Sequence, residues 1–240
     1  MNMTTFDFGN GPVPAHKHPN GGGWVADTAK VADTAYVGPD AKVYENAQVS
    51  DNAWVYENAR VSDTARIYDN ARVYGNAWVY DNADVFGNVA VSGNARVYGS
   101  ARVFHDALVF GSAQVFHNVR VSDTARVSGN SWVFGSARVF HNAWVYDTAL
   151  IFGNAWVYGN ARVSDHAWVY GNALISSNAR VFGNAQVSDH AWVYGNALIS
   201  GNARVSGNAQ VSDTAEVGDN VKEDMFIERN GKRYKLVEVE

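Results

Sequence analysis

Seven histidines and no cysteine set the chemistry this chain of 240 residues could perform. Without thiols, disulfides, cysteine nucleophiles and Cys-ligated metals are excluded. Five of the histidines, His105, His117, His141, His166 and His190, sit in turn-forming dipeptides such as His117-Asn118 and Asp165-His166. A neutral imidazole there could serve as a general base, but only with a partner that orients it. The repeat spacing is not read as setting an Asp or Glu beside any of them. They are read as drift at solvated corners; His141 and His166 are the better placed, because they neighbour aromatic faces. His16 and His18 stand in a different setting, just before Gly21-Gly22-Gly23-Trp24. Two imidazoles and a glycine-rich turn would suit an anion or a metal, yet a metal site needs at least a third ligand. The expectation is a structural cap, with no catalytic residue, no metal and no cofactor.

Aromatic and arginine side chains carry the other possible chemistry, which is binding. All eight tryptophans immediately precede a Val or Ile, and the residue after that aliphatic position is most often Tyr or Phe. These positions belong to a strict beat: from Val25 to Val217 a Val or Ile falls on every sixth residue, thirty-three times. The fourth residue after each is nearly always Ala, and the two before that Ala are turn formers such as Gly-Asn, Asp-Asn or Asp-Thr. Period six fits neither a helix nor a heptad, whereas local alternation of Ala, x and Val fits short strands with Val and Ala facing inward. Asn at the second corner position is expected to supply the left-handed backbone of each bend. One unit cannot bury its own apolar face, but stacked turns of chain can. Three units give an eighteen-residue coil, so the array predicts eleven triangular coils in a rod of roughly 50 Å at the parallel-strand spacing.

The units, Val157-Tyr158-Gly159-Asn160-Ala161-Arg162 for instance, resemble the hexapeptide-repeat family. That resemblance covers residues 24–221 and implies an all-β, left-handed parallel β-helix; the hand comes from the resemblance, not from spacing. Many members are acyltransferases that hold an acyl-CoA donor between subunits, with a histidine as base. They tend to interrupt the repeat with a loop and often end in a helix, and neither feature is found here. The chain also resembles uninterrupted repeat proteins of bacteria and phages, some sharing the Gly-Gly-Gly-Trp start.

The organisation expected is an irregular N-terminal cap (1–23), the β-helix (24–221) and a C-terminal cap (222–240). In the last of these, Met225–Arg229 and Lys232–Val237 flank Asn230-Gly231, a hairpin signal with a type I′ turn. Caps matter because open strand edges invite end-to-end polymerisation.

With an eighteen-residue register the outward residues fall into columns. Tyr80, Tyr98, Phe116, Phe134, Phe152 and Tyr170 line one face over six coils, beside Trp78, Trp132 and Trp168. A patch of that extent would exceed the few hundred Å² that monomers usually expose. The expectation is a binding face through which the rod forms a dimer or trimer, a second protein or small ligand being the other occupants. Arg66, Arg102, Arg120 and Arg138 line a second column interrupted by Asp84. The net charge of −5 argues against a nucleic-acid surface. No signal-like or membrane-spanning segment is present, so a cytoplasmic protein is expected. The sequence therefore points to a non-catalytic, self-associating binding or scaffold rod, with an acyl-CoA-dependent acyltransferase as the alternative.

Overall fold

A computed structural model describes residues 4–218, 226–229 and 232–235. The chain is an all-β, triangular, left-handed parallel β-helix of about eleven coils. Strands β1 (Thr5–Asp7), β2 (Pro12–Lys17) and β3 (Trp24–Ala26) precede thirty-two two-residue strands, β4 (Lys30–Val31) to β35 (Glu216–Val217). Every third strand pairs in parallel with an offset of eighteen residues, as in Trp78↔Arg96 and Val79↔Val97. Three sheets result. The first carries Trp24, Trp78, Trp132 and Trp168, the second Arg66, Asp84 and Arg102, and the third Trp54, Trp144 and Arg180. Inside, columns of Val and Ile meet columns of Ala with no exposure to solvent over nearly the whole rod. Ser131, which replaces one of those alanines, is equally buried and donates its hydroxyl to the Ser128 carbonyl at 2.7 Å. That internal bond removes the cost of an unpaired polar group in a dry core.

The corners depart from expectation. From Glu45 to Asp213 it is the first corner residue that takes the left-handed conformation, with φ between 55° and 86°; no second-corner Asn does so. Asn is used there for its amide. Asn142, Asn160, Asn178 and Asn196 form a ladder in which each Nδ2 donates to the next Oδ1 at 3.0 Å. Asp and Glu at the first position have a separate task. The amide N–H of the left-handed residue finds no backbone partner in the coil-to-coil ladder, and a carboxylate from the coil before accepts it, as Asp63 does from Asp81 and Asp81 from Gly99. Where Gly takes this position, φ opens further, to 86° at Gly87. A Cβ at Gly153 would lie 2.9 Å from the backbone N and O of Gly171 in the next coil.

The N-terminal cap adds two antiparallel strands to the first sheet, β1 on β2 and β2 on β3. Phe6 stacks on Trp24 at 4.4 Å and Phe8 on Tyr44 at 5.0 Å, so the hairpin is fastened to the start of the aromatic face. The glycine run is explained by close approach: a Cβ on Gly21 or Gly23 would stand 2.3 Å from a carbonyl oxygen of Val37 or Gly38. At the other end, β36 (Phe226–Arg229) pairs antiparallel with β37 (Lys232–Lys235), the hairpin read from the sequence. Its Asn230-Gly231 turn lies outside the described residues, as does the contact expected between the hairpin and the last coil. Among the described residues no helix is long and apolar enough to cross a membrane.

Candidate interaction surface

The first sheet presents its outward residues in two adjacent columns, the residue before each aliphatic position and the residue after it. In the second column Tyr80, Tyr98, Phe116, Phe134, Phe152 and Tyr170 form one continuous stack, with centroids 4.7–5.1 Å apart and planes within 8° of parallel. The coil rise imposes this spacing, so the rings cover one another and each is half-buried. The apolar area offered to a partner is accordingly smaller than six free rings would give.

What remains exposed on this face is decided by its tryptophans. A tryptophan leans toward the residue sixteen positions earlier, which is the outward neighbour in the preceding coil. Where that residue is Ser, the indole lies over it and fills the missing rung. Trp78 donates Nε1–H to Ser62 Oγ at 3.1 Å, Trp144 to Ser128 at 3.1 Å and Trp192 to Ser176 at 3.2 Å. Each also packs at a tilt of 35–38° against the Tyr two residues on, with centroids 4.5, 4.7 and 4.5 Å apart. Where that residue is Phe the indole meets it edge-on; on the second sheet Trp156 meets Phe140 in this way but is half-buried, with Arg138 over its ring. Trp132 meets Phe116 edge-on at 6.3 Å and 74°, and Trp168 meets Phe152 at 6.4 Å and 71°. These two indoles stand free, 44% and 42% exposed. They lie two coils apart, roughly 10 Å by strand spacing, with Leu150 between them. All nine residues predicted for this face are therefore on one sheet, but the freely presented groups are Trp132 and Trp168.

Stacking also changes the ladder's titration. Burial, then the adjacent Tyr98, pushes the Tyr80 hydroxyl up to about 12 against the pull of Arg96, and burial likewise raises Tyr98. A tyrosine free in the unfolded chain ionises near ~10, so the unfolded state loses its proton first. The neutral ladder's contribution is fully present below that pH and declines as pH rises toward the folded value. Denaturant midpoints should fall between pH ~10 and ~12, and Tyr80→Phe should flatten that fall. An identical fall in the variant would show that the ladder is not its source.

The histidines correct one expectation. His105 Nδ1 lies 3.0 Å from Asp123 Oδ1, and Asp123 also accepts the His141 amide at 3.0 Å. A carboxylate only accepts, so Nδ1 is the donor and Asp123 orients the ring through it. Asp123 is eighteen residues after His105, directly above it in the same corner column, a relation visible in sequence once the coil length is applied. Partial burial alone would raise the Asp123 carboxyl, but the His141 amide and the His105 ring outweigh it and hold the group below the usual carboxylate range. His166 Nδ1 is 2.7 Å from Thr148 Oγ1, while His117 and His190 are exposed corner residues. In the cap, His16 faces solvent and pairs with Asp27 at 2.8 Å, whereas His18 is buried against the Asn20 carbonyl at 3.1 Å. Among the described residues no three His, Asp or Glu are grouped to hold a metal ion.

Residues 47–63, 65–81, 91–104, 155–171 and 197–213 match the YdcK beta solenoid repeat. The chain is a left-handed β-solenoid resembling the hexapeptide-repeat superfamily. Among solved structures it is similar to the UDP-N-acetylglucosamine acyltransferase of Francisella novicida, at 18% identity and a TM-score of 0.47. That similarity covers 62% of each chain, less than two thirds of the solved protein's length. It is also similar to LpxA of Acinetobacter baumannii, at 11% identity, TM-score 0.40, over 80% of this chain and 72% of that one. The corresponding enzyme of Moraxella catarrhalis gives 10% identity and a TM-score of 0.23 over 75% and 64%. No curated protein matches the sequence.

Proposed function

We propose that this protein is a non-catalytic binding or scaffold rod that self-associates through the first sheet, with Trp132 and Trp168 at the centre of the contact. The observation that carries this reading is the posture of those two indoles. Three other tryptophans donate Nε1–H to a serine, while these two stand over 40% exposed on one rigid face; Trp54, 48% exposed, stands apart from them on the third sheet. Trp at the centre of an interface is a frequent energetic anchor, and a β-helix holds such anchors in place without an ordering cost. The neighbouring outward residues Gln114, Leu150 and Gln186 carry no charge, which suits a desolvated contact. Trp132→Lys with Trp168→Lys should lower the solution mass to that of one chain, read by sedimentation velocity. An assembly unchanged by both lysines would sink the proposal.

A second reading, acyl transfer from an acyl-CoA donor at a subunit seam, is favoured by the His105–Asp123 pair. An imidazole oriented through Nδ1 has the form of a general base. It predicts coenzyme A binding that His105→Gln leaves intact while the reaction is lost.

A further inference from the structure

The second sheet has an aromatic ladder of its own, and it is broken. Tyr68, Phe86 and Phe104 stack at 4.8 and 5.2 Å, and Phe140 and Tyr158 at 4.9 Å. Between Phe104 and Phe140 the rung is Ser122. At Ser62, Ser128 and Ser176 the same break is closed by a tryptophan sixteen residues on. At Ser122, itself only 9% exposed at the floor of the break, that position is Arg138, whose guanidinium lies 4.7 Å over the Trp156 ring in the following coil rather than in the rung. The two phenyl faces are thus separated by two coil rises, roughly 10 Å, and a planar ring midway would sit at the ladder's own stacking distance from both.

Charge is out of balance at the same place. Arg102, Arg120 and Arg138 are direct neighbours in parallel register. Like charges side by side on a sheet are unfavourable. Arg102 is drawn toward Asp84, at 3.7 Å, and lies over the rings of Phe86 and Phe104, at 5.4 and 5.8 Å; Arg138 is drawn forward to Trp156. The side chain of Arg120, in the coil of Ser122, has no ion-pair, hydrogen-bond or ring partner among the described residues and is exposed. On the corner side of the break stand His105, edge-on to Phe104 at 4.8 Å, His141, edge-on to Phe140 at 4.9 Å, and Asp123 between them. The position therefore has aromatic walls, an unpaired cation at one end and hydrogen-bonding groups with a carboxylate at the other. The third sheet offers a partial contrast at Ser164, where Arg162 and Arg180 are both held over rings.

We propose that the break at Ser122 binds a nucleoside monophosphate, its base between Phe104 and Phe140 and its phosphate on Arg120, with Arg102 and Arg138 flanking. A flat ring restores the missing rung, and a dianion relieves three adjacent positive charges. The Asp123 carboxylate repels phosphate from the corner side and fixes the ligand's direction, leaving ribose hydroxyls toward Asp123 and His105. The site is on a different sheet from the assembly face and does not depend on it.

The test is calorimetric titration of the full chain with AMP, and with inorganic phosphate as the anion without a ring. One saturable AMP site per chain is expected, with phosphate much weaker. Arg120→Gln should weaken AMP by about tenfold, the loss of one charge-assisted contact. Ser122→Phe should abolish it while raising the melting temperature, because it completes the ladder from within. AMP binding no tighter than phosphate, or unaltered in Ser122→Phe, would overturn the assignment. So would a Ser122→Phe variant that changes the solution mass while wild type ignores AMP, since the break would then receive a ring from another chain. Should Ser122→Phe fail to fold, Arg120→Gln still decides, because an AMP affinity it leaves unchanged removes the phosphate contact.

Discussion

Replacing Ile151 with Ala will destabilise the rod by about 2–5 kcal/mol, the range for truncating a buried aliphatic side chain to Ala. Ile151 is wholly buried, with Val133 directly below and Val169 directly above. Those neighbours are held at the coil spacing by backbone hydrogen bonds on both sides, as in Phe134 N–H to the Ile151 carbonyl at 2.9 Å and Phe152 N–H to that of Val169 at 3.0 Å. The coils cannot close on the space left behind, so the cost should lie in the upper half of the range. A nearest-neighbour array also transmits damage from its middle more than from its ends. Ile199, two to three coils nearer the C-terminal end, should give a smaller loss under the same substitution. Equilibrium denaturation of both variants measures this; equal, sub-kilocalorie losses would mean the interior repacks freely and the rod is not rigid.

Asp84→Ala is expected to cost about 1–3 kcal/mol, between the values for exposed and buried ion pairs. Asp84 is the carboxylate that interrupts the arginine column, and its side chain is only 10% exposed. It accepts two bonds from Arg66, at Nε 2.6 Å and at the terminal nitrogen 2.7 Å, with Arg102 at 3.7 Å on the other side. Both arginines are about half exposed, so water offsets part of the loss. Without Asp84, Arg66, Arg102, Arg120 and Arg138 stand in a column whose one acidic member is gone. The deficit should therefore shrink as salt is raised, because salt screens exposed like charges. A deficit independent of salt would place the cost in lost packing instead.

The period of six carried the architecture because every coil repeats the same local choices, and columns of Val, Ile and Ala have one way to be buried together. The C-terminal hairpin was equally legible, since Asn230-Gly231 between two alternating segments has few other meanings. The corners were legible in position but not in detail. Both corner positions hold turn formers, and the sequence does not say which one is left-handed. The observed φ at Asp63, His105 and Gly75 assigns it to the first, leaving Asn its amide ladder. The surface divides in the same way. Counting in eighteens places Tyr80 to Tyr170 in one column, but on that face whether Trp78, Trp132 or Trp168 stands free depends on the residue sixteen earlier. Ser62 against Phe116 is the difference between Trp78 and Trp132. Likewise the His105–Asp123 pair is an eighteen-residue relation that becomes visible only when columns of unlike residues are read together.

In the proposed assembly the rod meets a second copy through the face of Trp132 and Trp168. The most direct test is the solution mass of the full chain by light scattering after size-exclusion chromatography, with and without coenzyme A. A discrete dimer or trimer whose mass coenzyme A does not change is the expected result. A chain of 26.1 kDa that runs as a monomer at all concentrations would contradict it, and a trimer that forms only with coenzyme A would replace it with the acyl-transfer reading.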